Sequence, residues 1–380
     1  MAISQSFAES SLRYRAAVEA LLEGSEVAIN GRRPWDVQVR DETFFERVLA
    51  QGTLGVGESY MEGQWDCERL DEMLFRVFRA QAEMRLPSFR QAWAALSARL
   101  RNPQSPLRAF KVGQHHYDIG DDLYQRMLDA RMIYSCAYWP KARTLDEAQE
   151  AKLDLVCRKL RLEPGMRVLD IGCGWGGAAR FAAERYGVSV TGVTVSRNQA
   201  ATAARYCEGL PIEILLQDYR SLTGKFDRIY SLGMFEHVGF RNYHTYFDTA
   251  RRLLDGDGLF LLHTIGSNTS QEANDPWIER YIFPNSLLPS VAQITTAVEG
   301  MFVVEDWHSF GPDYDRTLMA WHERFTAAWP ELAEKYGERF RRMWEFWLLS
   351  SAAAFRSRRI QLWQMLFSPR GVPGGLAEVR

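Results

Sequence analysis

An apolar strand that runs straight into a glycine-dense turn, and from there into a helix, constrains the fold of this chain more than any other stretch. The residues are Val168-Leu169-Asp170-Ile171-Gly172-Cys173-Gly174-Trp175-Gly176-Gly177. Glycine lets the backbone adopt conformations that a Cβ forbids and approach a ligand closely. In an α/β sheet such a turn lies at the carboxyl edge, where ligands bind. Around it the pattern alternates. Apolar spacing predicts helices over Lys152 to Leu162, Ala178 to Tyr186, Gln199 to Cys207 and Tyr246 to Leu254. Strands are predicted at Val168 to Ile171, Val188 to Val193, Ile212 to Leu216, Ile229 to Leu232 and Leu259 to His263. Alternation of this kind implies an α/β fold, a mainly parallel sheet with helices on both faces.

Residues 1–101 read as a smaller α+β domain. It has helical patterns at Leu12 to Leu22, Thr43 to Ala50, Leu70 to Ala80 and Phe89 to Leu100, and strand-like runs at Glu26 to Asn30 and Trp35 to Arg40. Asn102-Pro103-Gln104-Ser105-Pro106 has linker composition, so residues 102–113 are expected to connect it to a catalytic domain over 114–380. After the fifth strand the chain reads as mostly helical and aromatic. Asp275 to Glu299 interrupts the sheet pattern and is expected to form a lid.

The glycine turn also fits the dinucleotide fingerprint through Gly172, Gly174 and Gly177. Two details favour S-adenosylmethionine instead. Asp170, at the strand end, suits a cationic amino-acid ligand. The next strand ends Gly192-Val193-Thr194-Val195-Ser196, without the acid that a nicotinamide cofactor requires there. Thr194 or Gln199 would then hydrogen-bond the ribose, and Gln217-Asp218-Tyr219, after the third strand, is placed to meet the adenine.

Further pieces fall at strand ends or in loops: Tyr134-Ser135-Cys136-Ala137-Tyr138-Trp139, Phe235-Glu236-His237-Val238-Gly239, His263-Thr264-Ile265-Gly266 and Asp313-Tyr314. Each has a plain alternative. Glu236 suits a surface loop, His263 a satisfied core histidine, Tyr314 a packing ring. Together with Gly57-Glu58-Ser59-Tyr60-Met61, Tyr117-Asp118-Ile119-Gly120, Val168 to Gly177, Gly192 to Ser196, Gln217 to Arg220 and Thr317-Leu318-Met319-Ala320-Trp321, they resemble the cyclopropane fatty acid synthases, relatives of the mycolic acid cyclopropane synthases. The resemblance spans nearly the whole chain, including the N-terminal domain that the phospholipid-acting members carry. It departs at Asp121, where the family usually has Asn.

The resemblance implies a class I S-adenosylmethionine-dependent methyltransferase fold, Rossmann-like. It implies methylene transfer to a cis double bond of a phospholipid acyl chain, and a homodimer. It also implies a bicarbonate ion as base, held by the side chains of Glu236, His263 and Tyr314 and the backbone of Cys136 and Ile265. S-adenosylmethionine would be held by Tyr134, Ser135, Gly172, Gly174, Thr194 and Gln199, with Asp170, Gly176, Val195, Gln217, Asp218 and Tyr219 completing the candidate set. Chemistry agrees with that assignment. An ionised carboxylate only accepts hydrogen bonds, so Glu236 can hold an anion only if the anion carries its own O–H, as bicarbonate does. The rival reading is another lipid or small-molecule methyltransferase on the same fold.

A net charge of −2 argues against a nucleic-acid partner, and five cysteines without metal-ligand spacing argue for a reducing compartment and no zinc site. The N-terminus lacks a signal-peptide core. The longest uncharged stretch, about Ile282 to Ala297, is too short and polar to span a bilayer. Lipid contact is therefore expected to be peripheral, at the cytoplasmic face of the membrane. Between Met73 and Gly113, Arg76, Arg79, Arg85, Arg90, Arg99, Arg101, Arg108 and Lys111 face one acid, Glu83, amid Phe75, Phe78, Phe89 and Trp93. This suits an anionic membrane surface. Phe355 to Arg370 is a second candidate. Tyr138, Trp139, Phe235 and Tyr281 are candidates to face a cation on the substrate.

Overall fold

The computed structural model describes residues 2–85 and 120–380. The linker at 102–113, the string Tyr117 to Ile119, the expected helix from Phe89 and the basic residues from Arg90 to Lys111 lie outside them. Among the described residues, two compact units form. One gathers residues up to 85 with Ala273–Pro284 and Leu318–Arg359. The other gathers residues from 120 to Glu272 with Asn285–Thr317 and Ile360–Arg380. The first unit is thus not a contiguous N-terminal piece, as the linker composition alone suggests, because two later segments belong to it.

In the first unit, helices α1 (Ala2–Leu21), α2 (Thr43–Gln51), α3 (Thr53–Met61) and α4 (Leu70–Arg79) accompany a short antiparallel pair, β1 (Gln38–Val39) with β2 (Trp65–Asp66). The strand-like run Glu26 to Asn30 makes only a single bridge, Ile29 to Val37. Buried Trp65 donates its indole N–H to the Val56 carbonyl and the Ser59 hydroxyl. The Arg342 guanidinium lies 4.0 Å from the Tyr60 ring centre and donates to the carbonyls of Tyr60 and Trp65 and to Asp66. These bonds join the later segment to the earlier one, since a buried guanidinium is tolerated only when its donors are satisfied.

The second unit is a seven-stranded sheet in the order β5-β4-β3-β6-β7-β9-β8. Its strands are β3 (Arg167–Ile171), β4 (Ser189–Thr194), β5 (Ile212–Leu216), β6 (Phe226–Leu232), β7 (Leu254–Ser267), β8 (Val303–Ser309) and β9 (Ile360–Ser368). The strands β3 to β7 pair parallel, while β9 runs antiparallel to both β7 and β8. Both faces are covered: Leu169 and Ile171 pack into one apolar cluster with Phe235 and Phe247, and Val168 into another with Leu153 and Val190. Burial on two sides is why β3 reads as a continuous apolar run rather than an alternating one. The chain leaves β3 outward to β4 and β5, then returns to β6 and β7. The order therefore reverses beside β3, the position where an open α/β sheet leaves a crevice for a ligand.

Three expectations are corrected here. Phe355 to Arg370 is not a lipid-facing stripe: residues 360–368 form β9, between β7 and β8, with Trp363 and Phe367 buried. The segment Asp275 to Glu299 is not one lid. Its first half forms a short helix, Pro276–Tyr281, capped by Asp275, in the first unit. Its second half forms a helix, Val291–Val298, whose Ile294, Ala297 and Val298 join the sheet's own core. The mostly helical reading after β7 missed β8 and β9. The long helical run there is Pro312–Arg356, broken at Gly337, whose backbone (φ 74°, ψ 163°) is not helical.

Candidate active site

A cavity opens at the carboxyl ends of β3, β4 and β5. Its lining includes Tyr134, Ser135, Asp170, Gly172, Gly174, Thr194, Val195, Gln199, Gln217, Asp218 and Tyr219. The glycine turn shapes its floor. Gly172 sits at φ +90°, and a Cβ there would come within 2.7 Å of Met234. Gly177 opens the helix Gly177–Tyr186 so close to another segment that a Cβ would lie 2.0 Å from the Arg131 carbonyl oxygen. Gly176 is not on the cavity wall; its neighbours Trp175 and Gly177 are, while Gly176 packs against Cys207.

The polar lining is largely organised by local bonds. Thr194, at the end of β4, donates to Gln199 Oε1 at 3.0 Å. Asp218 accepts from the Arg220 backbone and guanidinium, and Gln217 donates to Ser221 at 2.9 Å, so these side chains have partners on their own loop. Asp121 accepts from Asn198 at 2.9 Å, at the start of the helix Arg197–Tyr206 that carries Gln199. Tyr124 packs between Tyr134 and Trp175, with ring centres 5.1 and 4.9 Å away. Asp170 is buried, with Oδ2 unpaired among the described residues. Burial pushes its carboxyl up to about 7, against the pull of the Tyr230 hydroxyl and the Lys152 charge. A cationic ligand is what such a group lacks.

A second group of candidates lies at the ends of β6, directly beside β3, and of β7. β6 ends at Leu232, and the short turn Phe235–His237 carries Glu236 inward. Glu236 Oε1 accepts the Ile265 N–H at 2.7 Å, and the Glu236 carbonyl accepts the Leu287 N–H at 2.8 Å. Oε2 has no partner among the described residues. The Ile265 N–H, expected to face an anion, is therefore engaged by Glu236. His263 lies two residues earlier on β7, in register with Leu232 of β6 and Gln364 of β9. Its Nδ1 is 3.3 Å from the Gln364 amide nitrogen, and Nε2 has no partner among the described residues. Burial, aided by the charges of Lys152 and Lys159, drives its pKa well below the ordinary value, so the imidazole is neutral. In the tautomer whose Nδ1 accepts from the amide as placed, Nε2 carries the proton. Unpaired Glu236 Oε2 and His263 Nε2–H call for a small guest that both donates and accepts, and bicarbonate has that chemistry.

The start of the Pro312–Arg356 run is bonded to the loop that carries Tyr134 to Trp139. Asp313 Oδ2 accepts the Trp139 N–H at 2.8 Å. Thr317 Oγ1 accepts from the Ala137 N–H at 3.1 Å and the Trp139 indole at 2.9 Å, and donates to the Asp313 carbonyl. Tyr314, in sequence between these two residues, and Cys136, next to Ala137, are both buried. Phe310, just before it, has its ring centre 5.9 Å from that of His263. Thr317→Val keeps the volume but strands two buried donors, so a stability loss of about 2–4 kcal/mol is expected. Turnover should fall tenfold or more while S-adenosylhomocysteine affinity stays within about twofold, as denaturant unfolding, kinetics and calorimetry would show.

Of the aromatic candidates, Phe235 stacks on Tyr243 at 4.4 Å within the core, and Tyr281 donates to Glu58 beneath Arg280. Neither is a ring left over for a substrate cation. Tyr138 meets His308 and Phe310 edge-on, and the Trp139 face is covered by Arg316. Sequence reasoning passed over Lys152, which is wholly buried beside Ser135. The available signal was a lysine on the inward stripe of a helix, in step with Leu153, Val156 and Leu160.

Burial raises the Glu236 carboxyl from 4.5 to about 7, opposed by the Ile265 N–H. Below pH 4.5 the group is protonated in both folded and unfolded chains. Between the two values the native state keeps a proton that the unfolded chain releases, so its contribution to stability is lost as pH rises, by up to about 3 kcal/mol. Glu236→Gln should therefore gain stability relative to the ligand-free parent at pH 8 but not at pH 4, as chemical denaturation at the two pH values would show.

With this geometry in place, likeness to known proteins is informative. Residues 104–365 match the family model described as mycolic acid cyclopropane synthetase. The chain belongs to that family. It is 57% identical over 368 residues to the cyclopropane-fatty-acyl-phospholipid synthase of Escherichia coli (strain K12), covering 97% of this chain and 96% of that protein. Among solved structures it is similar to the cyclopropane synthase MmaA2 from Mycobacterium tuberculosis (34% identity, TM-score 0.65, 68% of this chain and 97% of that one). It is also similar to the mycolic acid cyclopropane synthase CmaA1 complexed with SAH and CTAB (35%, TM-score 0.64, the same coverage). The family's fold is that of S-adenosylmethionine-dependent methyltransferases, which the sheet order reproduces.

Proposed function

We propose that this protein is a cyclopropane-fatty-acyl-phospholipid synthase that uses S-adenosylmethionine to bridge a cis double bond of a phospholipid acyl chain. One observation carries the reading. The strand end that lines the cofactor cavity with Gly233, Met234 and His237 also carries buried Glu236, whose Oε2 is unpaired among the described residues and whose Oε1 accepts the Ile265 N–H, two residues along β7 from buried His263. S-adenosylmethionine, when bound, supplies an electrophilic methyl; bicarbonate, when bound, supplies a weak base. Everything else falls to the chain. Asp170 meets the positive charge of the cofactor, and Thr194 and Gln199 face its ribose. Glu236 accepts the O–H of the anion, while His263 Nε2–H and Tyr314 donate to its remaining oxygens. Methyl addition to an alkene leaves a cation on the acyl chain, and ring closure needs one proton removed from the new methyl. That proton is acidic, so positioning matters more than base strength. Burial of Glu236 and His263 excludes water that would trap the cation.

The decisive comparison uses vesicles. Release of S-adenosylhomocysteine is expected with cis-unsaturated phospholipids and absent with fully saturated ones. Equal release from both, or none from either, contradicts the reading.

Docking is taken to be peripheral; no helix among the described residues is long and apolar enough to cross a membrane. Its support lies in the first unit, where Leu12 and Met84 expose about two thirds of their surface and Arg79 is exposed. Arg76 is a poor probe of docking, because it pairs with Glu72 and Glu26 and lies 4.2 Å from the Trp35 ring. Arg79→Glu is expected to weaken binding to anionic vesicles several-fold at low salt, an effect that fades above about 0.5 M salt as screening takes over. Salt-independent binding in a co-sedimentation assay would contradict it. A homodimer is part of the same proposal, checked by sedimentation.

A further inference from the structure

Lys152 is wholly buried, on the face of the helix Leu145–Lys159 that packs inward. Its Nζ lies 2.8 Å from the Ser135 hydroxyl oxygen. One turn earlier, Gln149 donates to the Ser135 carbonyl at 2.8 Å, so a single helix grips this residue at both its backbone and its side chain. An ammonium buried in a core is costly and persists where it has partners. Burial lowers the Lys152 pKa to about 8, opposed first by Asp129 and also by Asp170, so the group is an ammonium at pH 7. Asp129 in turn accepts the backbone N–H groups of Arg131 and Ile133, which fixes the start of the same loop.

The direction of the bond to Ser135 is forced. An ammonium has three donors and no acceptor, so Lys152 donates and the Ser135 oxygen accepts. The single hydroxyl hydrogen of Ser135 is therefore free to be donated elsewhere, and Ser135 is on the cavity wall. A hydroxyl whose oxygen accepts from a cation is a stronger donor than a free one.

We propose that Lys152 is a positioning residue that turns the Ser135 O–H into the cavity as a dedicated donor to the carboxylate of the cofactor's amino-acid end. Asp170 takes the cationic groups of the same ligand, so the two ends are sorted by charge. This deepens the S-adenosylmethionine reading of the cavity and rests on it.

The test compares two ligands that differ only in that carboxylate: S-adenosylmethionine and its decarboxylated analogue. Calorimetric titration of the full chain with each is the readout. Lys152→Met should weaken S-adenosylmethionine binding roughly tenfold or more, as expected for loss of a hydrogen bond to a charged group. Decarboxylated ligand should bind no more weakly than to the parent. Ser135→Ala, a smaller change that serves if Lys152→Met does not fold, should show the same selective loss. The double variant should be no worse than either single one. Equal weakening of both ligands would mean that Lys152 only supports the fold, and would overturn the proposal. A parent protein that binds neither ligand would instead overturn the reading of the cavity itself.

Discussion

Glu236→Gln is expected to fold, to bind S-adenosylhomocysteine as the parent does, and to lose turnover by roughly 10²–10⁴-fold. The amide keeps the shape of the carboxylate, and its oxygen still accepts the Ile265 N–H. What it loses is the unpaired Oε2, an acceptor replaced by an NH₂ donor. Under the proposed mechanism a hydrogencarbonate ion would then have its O–H against a donor and be displaced from the methyl that it would deprotonate. Cofactor affinity should survive, because Glu236 is not on the wall of the cofactor cavity, although His237 next to it is. Steady-state rates with labelled S-adenosylmethionine, beside calorimetric titration with S-adenosylhomocysteine, separate the two effects. A turnover within a few-fold of the parent would remove Glu236 from the base site.

The second large effect is on stability. Trp363→Ala is expected to cost about 3–5 kcal/mol, the range for removing a buried tryptophan side chain. Trp363 lies on β9, paired with Thr264 of β7 and Ser309 of β8. Its ring lies directly over Gly266, where a Cβ would come within 2.0 Å of it, and packs edge-on to Trp307 at 5.4 Å. The void cannot be refilled from Gly266, which has no side chain. Denaturant unfolding should show the loss, while vesicle binding per folded molecule stays unchanged. A lipid-contacting residue would give the reverse: normal stability and weakened vesicle binding.

Trp363 also shows where sequence reasoning stops. The five parallel strands were legible because each is a short apolar run bounded by turn residues and, except between the third and the fourth, separated from the next by a helical pattern, and Gly172 to Gly177 announced which edge carries the ligand. β9 was not legible. Arg356, Arg358, Arg359 and Arg370 flank an uncharged strand, Ile360–Ser368, and the flanking charges made the whole stretch resemble a membrane-facing surface. Two of those charges are also engaged: Arg356 pairs with Asp71, and Arg359 lies over Phe78. β8 was hidden differently. Val303–Ser309 is an edge strand with partly exposed residues on both sides, so it shows neither alternation nor a buried run.

At the site, the residues that touch across long sequence distances carry no local signal at all. Glu236, His263 and Tyr314 were each ambiguous alone, and only likeness to a family grouped them. The bond from Ala137 to Thr317 spans 180 residues, and that from Ile265 to Glu236 spans 29. The second depends on the pairing of β6 with β7 and the first on a helix packing against a distant loop, neither of which periodicity encodes. Lys152 was visible as a charge on an apolar stripe, yet its meaning came only from the 2.8 Å contact with Ser135.

The most direct test of the account follows the fate of the transferred methyl. Vesicles of a cis-unsaturated phospholipid would be incubated with the protein and S-adenosylmethionine deuterated at all methyl positions, and the acyl chains analysed by mass. Closure of a ring requires that one deuteron leave, so the product should gain a CD₂ unit and lose its alkene. An acyl chain carrying an intact CD₃ group, or deuterium found only on the head group, would contradict the account.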